Sequence, residues 1–302
     1  MDNTNVKKCV AAIVVTYNRK ELLKENIKCL LGQTFGKYLD IIVIDNASTD
    51  GTKEYISFYI DDGRIIYKNT GANLGGAGGF HFGIKYAAEN GYKYVWIMDD
   101  DCMPQPDALE ELCRYDKKLN GRYGFLSSKV LWKNGDICKM NMQKETKWKR
   151  LKDFGNPAQI QYASFVSLFV KTAVVKKLGL PYKEFFIWSD DFEYTRRISK
   201  RMKCYYVPSS VVYHFSKANV GADIVSADAD NLGRFEYLYR NDVVLYRQDG
   251  FDGAVYLLIR DAVHIVRILL RSENKKIKIA LLLRNLLKGI KFKPNIDYPE
   301  KV

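Results

Sequence analysis

The chain has 302 residues, with 48 Lys and Arg against 35 Asp and Glu, a net charge of +13, 47% hydrophobic residues and 27% charged ones. Such a composition buries a sizeable core and excludes disorder or a collagen-like repeat as the main state; the length fits one large domain or two small ones. The excess charge is uneven, because Arg260 to Val302 alone carries a net +7, so nucleic acid, an anionic membrane surface and an acidic substrate are all candidate partners.

Val10 to Thr16 is a β-branched run that reads as a first strand, and its apolar core of about seven residues enters a turn, which argues against a signal peptide. Lys20 to Leu31 reads as a helix and Asp40 to Asp45 as a second apolar strand. A helix opening at Ser48-Thr49-Asp50, a strand at Arg64 to Lys68, a glycine-rich helix start at Asn73 to Gly79 and a strand at Tyr92 to Met98 continue the alternation. Strands that are apolar throughout and separated by helices predict a parallel α/β sheet covered on both faces. After Asn120 the pattern loosens into a mixed α+β half: Tyr123 to Leu131, a basic stretch from Lys139 to Lys152, a strand-like Tyr162 to Val170, a helix from Asp190 to Met202 and a strand from Cys204 to Tyr213. From Asn231 onward the chain reads as helices interrupted at Gly250 and Gly253. The expected division is residues 1–230 as one α/β unit, in a parallel half 1–120 and a mixed half 121–230, and 231–302 as a basic amphipathic helical region.

Cysteines 9, 29, 102, 113, 138 and 204 show neither a CxxC pair nor a zinc-ligand spacing, which reads as a reducing compartment. No window holds the roughly 18 apolar residues of a membrane span. The expected location is cytoplasmic, peripheral on the inner face of the cell membrane.

In an open parallel sheet ligands bind beyond the carboxyl ends of the strands. Those ends are Thr16-Tyr17-Asn18-Arg19, then Asp45-Asn46-Ala47-Ser48, then Asn73-Leu74-Gly75-Gly76, then Asp99-Asp100-Asp101. Three carboxylates after an apolar strand repel one another unless a cation neutralises them, and hard oxygen ligands suit Mg²⁺ or Mn²⁺ shared with substrate phosphates. The run Asn73 to Gly79 is not a P-loop; its glycines serve either close approach to a ligand or tight helix packing. Asp45 is placed to accept from a nucleobase imide or a ribose.

The order VVTYNR, IDNASTDGT, NLGGAGGF, DDD, WSDDFEY and a His after a strand resembles the family 2 inverting glycosyltransferases, which have a GT-A fold, over roughly residues 9 to 216. NLGGAGG with the triple Asp and Trp-x-Asp-Asp most resembles the galactofuranosyltransferase branch, whose donor is a UDP-linked furanose. The resemblance implies a metal site on Asp99 and Asp101 with His214 as third ligand, taking Mn²⁺ or Mg²⁺. It implies nucleotide binding by Thr16, Tyr17, Asn18, Arg19 and Asp45, with Asn73, Gly75 and Gly76 beside the donor and Asp100 touching the ribose or the sugar. The general base falls on Asp191, the second acid of the pair Asp190-Asp191, with Glu193 as fallback; Trp188 is an aromatic platform for a sugar ring. The implied reaction moves a hexose, galactofuranose from UDP-galactofuranose, to a lipid-linked or polysaccharide acceptor of a cell-surface glycan. A rhamnosyl or other hexosyl transfer from a dTDP- or UDP-sugar is the alternative.

Two other classes compete. A nucleotidyltransferase needs a basic phosphate-gripping loop near the first strand, where only Arg19 and Lys20 are available. A nucleic-acid-binding module needs a basic crevice, and this crevice is acidic, so no nucleic acid is expected. In the tail, Arg260, Arg267 and Arg271 are spaced by seven and four opposite an aliphatic face, and Arg284, Lys288 and Lys291 repeat the pattern. That is the signature of a helix lying in an anionic membrane interface. The other reading packs the pair on the catalytic domain with its basic side solvated. The Lys139 to Lys152 stretch, with Trp148, is expected to form a loop over the acceptor site or a contact with lipid phosphate.

Overall fold

The computed structural model describes residues 9–300; residues 1–8 and 301–302, which fall within the expected domain bounds, lie outside the described residues. In chain order the elements are β1 (Val10–Thr16), α1 (Lys20–Leu31), β2 (Leu39–Asp45), two short helices α2 (Thr52–Tyr55) and α3 (Ser57–Asp61), β3 (Ile65–Asn69), α4 (Gly75–Glu89), β4 (Tyr94–Asp99), β5 (Cys102–Pro104) and α5 (Ala108–Lys118). There follow β6 (Phe125–Trp132), β7 (Ala158–Gln159), β8 (Leu168–Lys171), α6 (Thr172–Leu178), α7 (Asp190–Ser199), β9 (Tyr205–His214), α8 (Ala229–Leu232), α9 (Arg234–Arg247), α10 (Gly250–Arg271) and α11 (Lys275–Lys291).

All strands join one sheet in the order β3-β2-β1-β4-β8-β6-β9-β5, with β7 pairing β9. The first four are parallel, as a run of fully apolar strands requires. Their side chains alternate between faces: Val10, Ala12 and Val14 of β1 join one core with α1 and α5, and Ala11, Ile13 and Val15 join the other with α4. The sheet turns mixed at β8, antiparallel to both β4 and β6. The strand expected over Tyr162 to Val170 is shorter, because Ser167 takes a left-handed backbone (φ 62) that breaks the extended run just before β8.

The tail departs further from expectation. The helices do break at Gly250, since α9 ends at Arg247 and α10 begins at Gly250 with φ 60, but Gly253 lies inside α10: a Cβ there would stand 1.9 Å from the Tyr246 carbonyl oxygen, so this glycine lets α9 and α10 touch. Of the arginine edge of α10, Arg260 faces inward, Arg267 is half-buried and Arg271 is exposed. Arg260 pairs with Asp242 of α9 and with its neighbour Asp261, and Arg267 with Asp223. From Leu258 to Leu270 every exposed residue is instead apolar. The reason is that α9 presents a buried carboxylate, Asp242, which Arg260 neutralises. No helix of the described residues is long and apolar enough to cross a membrane.

Candidate active site

The carboxyl ends of β1, β2 and β4 lie in register, Thr16 beside Asp45 and Val15 beside Asp99. They open onto a cavity of about 820 Å³. Thr16, Tyr17, Arg19, Asp99 and Asp100 line one wall and Asn73, Gly75 and Gly76 another, while Arg234, Tyr237 and Lys288 from the C-terminal helices close it. The sequence marked Lys288 only as part of a cationic helix edge and did not single out Arg234 or Tyr237.

The three aspartates have different partners. Asp100 accepts from the Thr16 hydroxyl at 2.8 Å and from Arg19 at 3.2 Å, and Arg19 also reaches Asp101 at 2.8 Å. Burial raises the carboxyl of Asp100 to about 7 against the pull of Arg19; it raises Asp99 to about 6, with Asp101 adding repulsion. Burial opposes ionisation of Asp101 as well, but His214 and Arg19 outweigh it and hold that group low.

His214 arrives through sheet register. β5 and β9 pair antiparallel with Cys102 opposite His214, and the Phe215 N–H donates to the Asp101 carbonyl at 2.8 Å. One ligand atom from each of Asp99, Asp101 and His214 then lies within 4.8 Å of the others. His214 Nδ1 is 2.7 Å from Asn141 Oδ1, an oxygen that can only accept, so Nδ1 carries a proton and Nε2 points at the carboxylates. Burial alone would lower the imidazole; Asp101 and Cys138 lift it to about 10. Asp101 Oδ1 is buried and accepts no aligned hydrogen bond, although Nε2 stands 3.0 Å away. An orphaned carboxylate oxygen and an imidazole nitrogen converging on one point, beside a second carboxylate, fit a divalent cation. Asn141 lies in the Lys139 to Lys152 stretch, where the sequence singled out the positive charge and Trp148.

Asp190 and Asp191 open α7, and the charge of Asp99 reaches both. Burial holds both carboxyls above the usual range, Asp191 at about 7. Lys144, whose ammonium sits 4.7 Å from the Phe192 ring centre and is lowered by burial to about 8, pulls Asp191 the other way. Glu193, the fallback acid, is bound by Arg197 at 3.0 and 2.7 Å and is buried, an ion pair within α7 rather than a free base. Trp188 is half-buried with its ring edge-to-face on Phe235, 5.1 Å between centres, so packing as well as any sugar contact explains it.

Asn18 and Asp45 do not line the cavity. Asp45 accepts from the Ser48 N–H at 2.8 Å and the Tyr67 hydroxyl at 2.5 Å, and Asn18 accepts from the Thr49 N–H at 2.7 Å; both shape the loops after β1 and β2. In and just after the glycine run the structure shows cavity lining at some positions and tight packing at others. Gly75 and Gly76 face the cavity, whereas a Cβ on Gly79 or Gly83 would press on Val15 or Ile13 of the sheet at 2.6 and 2.3 Å. The basic stretch is docked: Lys147 bonds Asp249 and Asp252, and Trp148 packs edge-to-face on Tyr256 of α10.

The profile described as Glycosyl transferase family 2 matches residues 11–170. The chain is 31% identical over 192 residues to an uncharacterized glycosyltransferase of Methanocaldococcus jannaschii, 62% of this chain and 63% of that one. It is 35% identical over 98 residues to galactofuranosyltransferase GlfT1 of Mycolicibacterium smegmatis, 32% and 30% of the two. The chain thus spans less than two thirds of either relative. Among solved structures it resembles Staphylococcus aureus TarS 1-349 in complex with UDP (TM-score 0.56, 15% identity, 94% of this chain and 72% of that one). It also resembles the Pyrobaculum calidifontis mannosyltransferase in complex with GDP-Man and Mn²⁺ (TM-score 0.56, 14% identity, 94% and 75%). Likeness at such identity speaks to the fold alone, and the fold is the expected GT-A type. Since the family profile covers more than half of its length, the chain belongs to glycosyltransferase family 2.

Proposed function

We propose that this chain transfers a hexose, galactofuranose from UDP-galactofuranose, with inversion to a lipid-linked or polysaccharide acceptor at the cytoplasmic face of a membrane. The observation that carries the reading is the Asp99, Asp101 and His214 cluster set beside the raised carboxyls of Asp190 and Asp191. In this reading the first group holds the departing diphosphate through a cation and Asp191 serves the acceptor. The choice of galactofuranose rests on the motif order and on the partial likeness to GlfT1.

Inverting transfer is one displacement. Asp191 takes the proton of the acceptor hydroxyl as that oxygen attacks the anomeric carbon; the bond from that carbon to the diphosphate breaks on the opposite side, and its electron pair leaves on the β-phosphate oxygen. Asp99, Asp101 and His214 would hold Mn²⁺ or Mg²⁺, the nitrogen ligand favouring Mn²⁺, and the cation, when bound, supplies Lewis-acid stabilisation to the departing diphosphate. Arg19 offers a fixed positive charge at the same place. Tyr17, with 42% of its surface open, walls the uracil, and the backbone at Gly75 and Gly76 admits the donor closely.

A product screen of UDP-galactofuranose, other UDP-sugars, dTDP-rhamnose and GDP-sugars with MnCl₂, MgCl₂ or EDTA tests this. Turnover of UDP-galactofuranose is expected, abolished by EDTA and reduced roughly 10²-fold or more in Asp101→Ala and Asp191→Asn. Turnover of dTDP-rhamnose alone would move the reading to a rhamnosyltransferase. Unchanged rates in either variant would end the site assignment.

A further inference from the structure

The segment that delivers Asp190 and Asp191 has an unfavourable backbone. Phe186, Trp188 and Ser189 have φ of 65, 66 and 66, left-handed values that side chains with a Cβ disfavour. Three such residues within four positions persist only where their surroundings impose them.

Three consecutive residues of α9 do so. Asn241, fully buried, donates its side-chain amide to the carbonyls of Phe185 (3.0 Å), Ile187 (3.1 Å) and Trp188 (2.9 Å). Arg240 donates to the carbonyls of Glu184 (2.8 Å) and Phe185 (3.3 Å), and to Asn241 Oδ1 at 2.8 Å. That last contact fixes which way the Asn241 amide faces, because a flipped amide would set its NH₂ against the guanidinium. Asp242 accepts from the Ser189 hydroxyl at 2.5 Å with one oxygen and is bound by Arg260 of α10 through the other. On the opposite side the Phe186 carbonyl accepts from the Ala77 N–H at 3.1 Å, and a Cβ on Gly75 would stand 2.1 Å from that oxygen. The segment is gripped between the start of α4 and the middle of α9.

We propose that Arg240, Asn241 and Asp242 are positioning residues for Asp191: they impose the backbone shape of residues 185–189 and so set where the first turn of α7 holds its carboxylates. The inference rests on the reading of Asp191 as the base. It makes the C-terminal helices part of the catalytic apparatus, with Arg260 as the outer brace. Small displacements of a reacting group cost rate far more than binding, so the effect falls on kcat.

The test compares Asn241→Asp, which keeps the shape and turns a donor into an acceptor facing three carbonyls, with Ser189→Ala, which removes one hydroxyl at the loop, and Asp191→Asn. Readouts are kcat and KM for UDP-galactofuranose, UDP affinity by calorimetry with MnCl₂, and amide hydrogen exchange of residues 186–192. Asn241→Asp should lower kcat roughly 10²-fold and Ser189→Ala about 5-fold, with KM and UDP affinity within about threefold and faster exchange confined to the segment. If Asn241→Asp does not yield folded protein, Ser189→Ala alone decides. Wild-type kcat in a folded clamp variant, or parallel loss of kcat and UDP affinity, overturns the proposal. An active Asp191→Asn overturns the base assignment instead, so the two failures are distinguishable.

Discussion

The carboxyl of Asp191 keeps its proton to about pH 7 because the surrounding protein dehydrates it and the charge of Asp99 repels its own, against the pull of the Phe192 N–H and Lys144. In the unfolded chain the same group ionises near about 3.9. Between those values the folded state holds a proton that the unfolded state has released, so the stability that goes with the neutral carboxyl is present below about pH 4 and is lost as pH rises to about 7. Asp191→Asn, neutral at every pH, should therefore melt higher than wild type by an amount that grows from pH 4 to 7 and levels off above it, about 5–7 °C at pH 8. Activity runs the other way: kcat/KM of the wild type should climb through about pH 7 as the carboxylate forms, and the variant should lose it. Calorimetric scans at pH 4.5 and 8 decide; an equal shift at both would show that the carboxyl is not dehydrated. Asp99, Asp101, Asp191 and His214 were singled out by the motif resemblance, and the structure places Asp99 and His214 at the ends of β4 and β9, Asp101 in the turn after β4 and Asp191 in the first turn of α7. Asn141, which sets the His214 tautomer, was not singled out, because its place depends on how a loop of mixed charge folds back on β9.

At the scale of elements, α10 shows what periodicity can and cannot say. The seven-and-four spacing of Arg260, Arg267 and Arg271 separated two faces correctly, yet a helical wheel does not say which face turns inward when a neighbouring helix carries a buried acid. Asp242 is that acid, and it lies on a helix the sequence described only as a run of helix formers. The same limit hid Asn241 and Arg240, whose partners are carbonyl groups of a distant segment. β1 was legible to the residue and β2 to within one, since a strand buried on both faces has few polar positions to blur its ends; the half-buried β3 and the start of β4 were read one to two residues off. Arg260 gives the element-scale prediction. Truncating it to Ala leaves Asp242 and Asp261 buried without their cation, where burial already raises Asp261 to about 6. The loss should be about 3–5 kcal/mol by urea denaturation. Asp242→Asn on the Arg260→Ala background should recover part of it, since the uncompensated charge is then gone; additive losses in the double variant would place the cost in packing instead.

For the whole molecule, the net charge of +13 divides differently from what composition implied. Arg260 and Arg267 are spent on internal ion pairs, Arg240 and Arg247 on carbonyls, and Arg284 and Lys288 on Glu236. The chain after α11 returns to the sheet domain, the Asp297 carbonyl accepting from the Leu180 N–H at 2.8 Å, so the helical region and the catalytic domain are bound at both ends. The aliphatic face of α10 stays open to a partner. Phe251, Leu258 and Leu270 are 86%, 72% and 73% exposed, Trp148 stands half-open beside Tyr256, and the exposed Arg271, Lys275 and Lys276 lie where α10 hands over to α11. Apolar side chains rimmed by cations match the interface of an anionic bilayer, and the same face starts beside the Lys147 contact with Asp249 and Asp252 that leads toward α7. Replacing Leu258 and Leu270 by Glu should reduce cosedimentation with phosphatidylglycerol vesicles roughly tenfold or more, given about 1.5–3 kcal/mol for each buried leucine. Melting temperature and turnover of a soluble acceptor should not change, because neither side chain supports the core. Equal vesicle binding by the double variant would remove the membrane reading, and a wild-type dimer that becomes monomeric in the variant would assign the face to a second copy of the chain.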